Sequence, residues 1–333
     1  MKVTIKDVAK KANVSITTVS RVINKIEGYT NEETKKRILK VIEELDYKPN
    51  ALARSLVTKK TKSIGLILPD ISNPFFPSIA KSVEDMVNEL GYNLILCNSY
   101  DDTEKEANYI NVLKEKCIDG ILLSSKQTKD RYEIYKDDDV PMVFFDRKPE
   151  VKVKYGVFVD NYKGAYDATK HLIKLGHRGI ACITGPKNIN TSIERLKGYK
   201  DALIDYGIKY DEVIVKSNDY TIEGGYEAAK DLLKNYNITA IFAQDDLMAC
   251  GVYRAAKELC CRIPDDISVV GFDDITLVEF LDPPLTTIKQ PTEDIGRVSV
   301  EILMNIIENN KMQERITILN TELIVRDSTK NIK

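Results

Sequence analysis

Histidine is scarce and cysteine is scattered, which closes off most enzyme chemistry at once. The 333-residue chain has two histidines, His171 and His177, and six cysteines, Cys97, Cys117, Cys182, Cys250, Cys260 and Cys261. The cysteines form no CxxC pair; in a chain this long such thiols fit a reducing cytosol better than a disulfide framework. Two histidines that read as helix-face and helix-end residues assemble no Ser/His/Asp or Cys/His set. There is no GxxxxGK[ST], no HExxH and no GxGxxG opening a helix; Gly224-Gly225 begins a helix without that spacing. The pairs Asp245-Asp246 and Asp273-Asp274 are candidate metal ligands, but acidic pairs near strand ends serve more often as one ligand contact and one helix cap. No apolar run approaches the ~18 residues of a membrane helix. The start, MKVTIKDVAKKANV, lacks the apolar core of a secretory signal. The expectation is a cytoplasmic, non-enzymatic chain without cofactor, metal or membrane partner.

What is present is an uneven charge distribution. The formal net charge is −2, yet residues 1–60 hold 14 Lys/Arg against 7 Asp/Glu, a net +7, while residues 61–333 hold 35 against 44, a net −9. A basic head on an acidic body is the pattern of a protein whose head alone meets nucleic acid, set against the plainer reading of a lysine-rich solvated surface. A 43% apolar content is enough for a large core in the body.

The head reads as three short helices. Thr4 with Asp7 three residues on begins the first, in which Ile5, Val8, Ala9 and Ala12 recur at helical spacing, and Asn13 can close it in αL. Ser15 caps a second with Val19, Val22 and Ile23 on one face; Thr30 or Asn31 opens a third, with Ile38, Val41, Ile42 and Leu45 as its buried stripe. That order is a helix-turn-helix. A recognition helix offers its first residues to base edges in the major groove, here Ile16, Thr17, Thr18, Ser20 and Arg21. Arg21 is suited to guanine O6 and N7, Ile16 and Thr17 to a thymine methyl or an exocyclic group. Thr4, Ser15, Thr18 and Asn24 suit phosphate contacts; the plainer reading is that Thr18 and Ser20 only cap and solvate.

After Pro49, the segment 50–56 is too short for a stable isolated helix. Folded against DNA in a pair, it would set Leu56 between base pairs of the minor groove, with Asn50, Ala53 and Arg54 alongside; otherwise Leu52 and Leu56 enter a core. A Lys/Thr linker follows. From Ser63 the texture becomes strand–helix alternation. Strands are expected at Ile64–Leu68, Asn93–Cys97, Gly120–Ser124, Met142–Phe145 and Val157–Val159, then at Ile180–Ile183, Val213–Val215, Ala240–Ala243 and Ser268–Gly271. Helices are expected at Pro77–Leu90, Glu104–Lys116, Tyr166–Leu175, Glu223–Lys234 and Leu247–Glu258. About ten strands suit two parallel sheets flanked by helices, with ligands beyond the strand carboxyl ends.

The segments TIKDVAKKANVSITTVSRVIN, YKPNALARSL, KSIGLILPDISNPFF, GHRGIACITGP, ERLKGY, AIFAQDDLMA, ISVVGFDD and LTTIKQP, in this order from Val3 to Ser328, resemble the lactose/galactose repressor (LacI/GalR) family. The loop Lys25–Tyr29 is about one residue longer than the common family pattern. The resemblance implies an α/β protein: a small all-α helix-turn-helix head plus two doubly wound α/β subdomains of the periplasmic-binding-protein type I kind. It implies a DNA-binding domain at 1–47, a hinge helix and linker at 48–60 and an effector-binding, dimerising core at 61–333. The core would divide into an N-subdomain of about 61–160 and 289–319 and a C-subdomain of about 161–288 and 320–328. It further implies a homodimer on a pseudo-palindromic operator that answers to a small effector.

The core motifs point to a sugar. Phe75 and Phe76 in Asn73-Pro74-Phe75-Phe76 offer faces to sugar C–H groups, or else pack the core. Asp146, Arg147, Arg195 and Asp273 provide charge-assisted partners for hydroxyls, and Tyr220, Asp245 and Gln290 complete the ring. The set resembles the pocket of ribose- and hexose-binding relatives, with Asp245 where many carry Asn. Its extra carboxylate adds an acceptor and removes a donor. The tail after Asp327 has no leucine heptads, so a dimer is expected. The combined reading is a repressor of sugar-utilisation genes; the rivals are a stand-alone sugar-binding or carbohydrate-processing protein and a regulator answering to a protein co-repressor.

Overall fold

The computed structural model describes residues 3–24, 28–48, 60–125, 140–149, 152–308 and 313–332. The chain divides into two compact units, Met1–Thr61 and Lys62–Lys333.

The first unit holds α1 (Ile5–Ala12), α2 (Ile16–Ile23) and α3 (Glu32–Glu44). At the start of α1 the Thr4 amide and hydroxyl both donate to the Asp7 carboxylate, at 2.9 and 2.7 Å, and Asn13 ends it at φ 51°. The Ser15 hydroxyl accepts the Thr18 amide at 3.0 Å, satisfying one of the orphan N–H groups of α2. Asn31, not Thr30, caps α3 by accepting the Thr34 amide at 2.8 Å. Val8, Ala9, Ala12, Val19, Val22, Ile38, Val41 and Tyr47 form one core, with Ile42 and Leu45 packed against it. The hinge residues Asn50, Ala53, Arg54 and Leu56, and residues 25–27 of the long loop, lie outside the described residues.

The second unit contains two six-stranded sheets. The first has the order β11-β5-β4-β3-β1-β2 and is wholly parallel: β1 Ser63–Leu68, β2 Asn93–Asn98, β3 Gly120–Leu123, β4 Met142–Phe145, β5 Tyr155–Val159 and β11 Arg315–Leu319. The second has the order β12-β10-β9-β8-β6-β7: β6 Ile180–Thr184, β7 Val215–Ser217, β8 Ala240–Ala243, β9 Ser268–Asp273, β10 Thr286–Lys289 and β12 Glu322–Ile324. Only β12 runs antiparallel to its neighbour. Helices α4 (Phe75–Glu89), α5 (Thr103–Glu115) and α10 (Thr292–Glu308) accompany the first sheet, and α6 (Asn161–Lys174), α7 (Asn190–Asp205), α8 (Ile222–Asn235) and α9 (Asp246–Glu258) the second.

Alternation of side chains along each strand explains the two-sided cover. Ile64, Leu66 and Leu68 pack with Phe75, Ile79 and Val83 of α4, whereas Ile67 packs with Ile110 and Leu113 of α5. In β6, Ala181 and Ile183 face the side with Ala229 and Val252, and Ile180 and Cys182 face Ala168 and Tyr199. Each such fully buried Leu or Ile contributes about 1.5–3 kcal/mol. Gly198 lets α7 lie against α6: a Cβ there would sit 2.2 Å from the Tyr162 carbonyl oxygen.

Several expectations are corrected. The strand expected at Val213–Val215 begins at Val215, because Asp211 accepts the Val213 amide at 3.0 Å and winds Glu212–Ile214 into a 3₁₀ turn. Strands β10, β11 and β12 and helices α7 and α10 were not among the expected elements. β11 and β12 lie at sheet edges and neither has a buried residue, so neither carries the buried apolar run that marks a central parallel strand. The chain therefore crosses between the two halves three times: after β5, after β10 and after β11.

Candidate effector cleft and nucleic-acid interface

In the head, α2 leaves its first turns free. Ile16 is 44% exposed and Thr17 is exposed. Thr18 is partly occupied, since its hydroxyl shares a 2.8 Å hydrogen bond with Ser15; Ser20 lies 3.3 Å from the Asn24 amide, which also donates to the Ser20 carbonyl at 2.9 Å. Thr4, Ser15 and Asn24 thus carry capping bonds in this structure. The guanidinium of Arg21 lies 4.4 Å from the centre of the exposed Tyr29 ring. Stacking on an aromatic face restricts a long, flexible side chain without using its donors. Tyr29 went unnoticed in the sequence because its partner lies eight positions away, across a loop.

In the body, the expected ligand residues gather at strand carboxyl ends on both sides of one cleft. Asn73, Phe75, Phe76, Asp146 and Arg147 come from the first sheet's half; Arg195, Tyr220, Asp245, Asp273 and Gln290 come from the second half and its crossover. The cleft measures about 510 Å³ with its mouth and is also lined by Asp70, Asp101, Thr191 and Asp219, which the sequence reading did not include. Three of the cleft residues have positive-φ backbones: Asp146 at φ 60°, Tyr220 at 61° and Asp273 at 119°. Such conformations cost on the order of 1–3 kcal/mol each and persist where the surroundings hold them. Gly185 makes room for Tyr220, since a Cβ there would fall 2.0 Å from its ring.

Two arginines organise the cleft. Arg195 donates through Nε to Asn161 at 2.7 Å and through Nη1 to the Gln244 carbonyl. Its Nη2 lies 3.7 Å from Asp273, and its guanidinium is 3.6 Å from the Phe272 ring centre. Arg147 pairs with Asp101, lies 3.9 Å from Asp146 and sits over the Phe76 ring. Phe75 and Phe76 meet edge to face at 5.1 Å; they are core residues and cleft residues together. Gln244, Asn161 and Asp101 were missed because their part is to hold the arginines, a contact that no local pattern marks.

Asp245 is more committed than the sequence suggested. One oxygen accepts the Leu247 and Met248 amides at 2.7 and 3.1 Å, and the other accepts the Asn73 amide at 2.9 Å across the cleft. The expected division of Asp245-Asp246 into ligand contact and cap fails: Asp245 is the cap, and Asp246 is a buried strut accepting Thr287 at 2.6 Å and the Ile275 amide at 3.0 Å. Asp274 likewise caps nothing; it pairs with Arg326 at 2.8 Å. Burial pushes the Asp146 carboxyl up against the pull of Arg147, and burial beside Asp245 and Asp246 raises Asp273 well above the usual carboxylate range. Burial also raises Asp245, and it lifts Asp246 to about 8. Two buried atoms in the cleft wall have no hydrogen-bond partner, the Tyr220 hydroxyl and Gln290 Oε1; Thr191 lies beside the former without bonding geometry. The Gln290 amide donates to Asp273 at 2.6 Å.

Residues 4–50 match the model described as bacterial regulatory proteins, lacI family, and residues 61–327 match periplasmic binding proteins and sugar binding domain of LacI family. The chain belongs to the LacI family. As a LacI-family protein it is a DNA-binding transcriptional regulator with a small-molecule effector domain, not an enzyme. It is 40% identical over 328 residues to the ribose operon repressor of Halalkalibacterium halodurans, covering 98% of this chain and 97% of that protein. The lac repressor dimer bound to operator and an anti-inducer is 26% identical with a TM-score of 0.90, over 99% of this chain and 100% of that one. A LacI family regulator from Enterococcus faecium with bound ribose is 31% identical with a TM-score of 0.74, over 81% and 100% respectively. No helix among the described residues is long and apolar enough to cross a membrane.

Proposed function

We propose that this protein is a cytoplasmic repressor of sugar-utilisation genes, a homodimer on a pseudo-palindromic operator, released or tightened by a small sugar bound in the body cleft. The observation that carries the effector reading is the convergence of Asn73, Phe75, Phe76, Asp146, Arg147, Arg195, Tyr220, Asp245, Asp273 and Gln290 on one cleft between the two sheets. Aromatic faces beside charged hydrogen-bonding groups suit a polyhydroxylated ring. Relatives named or solved with ribose support the same class.

On the DNA side, Ile16, Thr17, Thr18, Ser20 and Arg21 face the major groove, with Arg21 reading guanine. Thr4, Ser15 and Asn24 set the register on phosphates, exchanging or sharing their capping bonds. Residues 48–60, with Asn50, Ala53, Arg54 and Leu56, form the minor-groove hinge between a DNA-binding domain at 1–47 and the core from 61. The half-site spacing is then about one helical turn. Effector binding alters the closure of the two core halves; whichever closure state the sugar prefers becomes the populated one. Operator DNA must weaken or strengthen sugar binding by the same factor that the sugar applies to DNA.

Gel shift on the DNA flanking its own gene tests this. The wild type gives a discrete, salt-sensitive complex whose midpoint moves when a small sugar or sugar derivative is added. Operator affinity that ignores every sugar removes the effector reading, and absence of any sequence-specific complex removes the repressor reading.

A further inference from the structure

We infer that the effector of this cleft carries a basic nitrogen, as an amino-substituted sugar does, rather than being a plain, acidic or phosphorylated sugar. The inference rests on the reading of the cleft as a sugar site and narrows its ligand class. Six carboxylates line the cleft, Asp70, Asp101, Asp146, Asp219, Asp245 and Asp273, against two guanidiniums. Both guanidiniums already face carboxylates of that set: Arg147 faces Asp101 and Asp146, and Arg195 faces Asp273. The carboxyls thus outnumber the guanidiniums, with no further resident cation lining the cleft among the described residues, and a cation entering it would pull the raised Asp146, Asp245 and Asp273 carboxyls towards their charged form.

Hydrogen-bonding capacity leans the same way. Gln290 is 2% exposed; its amide nitrogen is spent on Asp273, and its oxygen is a buried acceptor with nothing donating to it. The wall is thus rich in acceptors, and the partner Gln290 lacks is a donor; the unpartnered Tyr220 hydroxyl of the same wall can accept as well as donate. An ammonium brings three donors and one positive charge, and the Phe75 ring adds a face that favours a cation, the Phe76 ring being already under Arg147. A phosphate or carboxylate brings acceptors and a further negative charge, which the same wall repels.

The test is calorimetric titration of the full chain at neutral pH. The ligands are pentoses and hexoses, each beside its amino-deoxy counterpart, the N-acetyl form of that amine and its phosphate. An amino sugar should bind at least about tenfold more tightly than its parent and its N-acetyl form, the difference between a charge-assisted and a neutral hydrogen bond. Asp245→Asn should narrow that ratio. Asp219→Asn at the exposed rim should narrow it as well, and serves if the first variant fails to fold. A parent, N-acetyl or phosphorylated sugar that binds as tightly as any amine overturns this inference and leaves the sugar site standing. Failure of every compound to bind overturns both, and the gel shift then shows whether the DNA-binding half of the reading survives.

Discussion

The side-chain amide of Asn73 donates to the Asp245 carboxylate at 2.9 Å, and the two residues belong to opposite halves of the body. Neither group is free to turn. Asn73 Oδ1 accepts the Phe75 amide at 3.0 Å, so its NH₂ must face the cleft; Asp245 spends its other oxygen on the start of α9. Asparagine at 245 would keep the cap but place one NH₂ against another. Asp245→Asn should therefore cost about 1–3 kcal/mol and widen the ligand-free body. A fall of a few degrees in Tm and a larger radius of gyration by small-angle scattering would show it; identical values for both would mean the contact does not hold the halves together.

Arg21 stacked on Tyr29 gives a second prediction. Arg21→Ala should abolish the discrete operator complex while costing no more than about 1 kcal/mol of stability, the upper end for an exposed cation–π contact. Tyr29→Ala should weaken operator binding by about 0.5–1 kcal/mol, the range for an exposed cation–π contact, and Tyr29→Phe should restore it. Competition gel shifts against scrambled DNA read both.

Asp246 sets a pH prediction. Its carboxyl is raised from 3.8 to about 8 by burial, so the fold favours the neutral form. The associated stability is fully present below the ordinary carboxyl range and is lost as pH climbs towards 8. Asp146, Asp245 and Asp273 are shifted in the same direction. Asp246→Asn can satisfy both partners, since the Thr287 hydroxyl can reverse to accept. The variant's advantage in Tm should be smallest at acid pH and grow steadily as pH climbs to 8; a parallel decline in both proteins would contradict this.

Asp273 separates the two activities. Asp273→Ala removes a partner of Arg195 and the acceptor of the Gln290 amide and leaves the sequence of the head unaltered. Operator affinity without sugar should be unchanged, and the sugar-induced shift in that affinity should vanish. Retention of a full response would place the effector elsewhere.

Much of the site was readable because strand ends and turn chemistry are local. Asp146, Arg147 and Asp273 stand where an apolar strand run stops, and that alone places them in the cleft of a doubly wound sheet. The head's helices were equally legible from Thr4, Asn13 and Ser15. What stayed hidden was pairing over distance. Asp101 waits 46 positions from Arg147 and Asn73 lies 172 from Asp245, and no local pattern announces either. α7 was overlooked because its helical residues are mixed with charged ones and interrupted by Gly198, whose purpose appears only against Tyr162. β11 and β12 were overlooked because an edge strand needs little apolar character.

The three crossovers between the halves constrain what kind of motion a bound molecule can set off. After β5 and after β11 the two chain passages run side by side, tied by the Asp160 amide to the Leu319 carbonyl at 3.0 Å, and the third passes at Gln290. Parallel straps of that sort behave like a door hinge: they bend readily about one line and resist sliding or separation. Whatever enters between the leaves is thereby translated into a swing of defined direction, with little freedom to dissipate as shear.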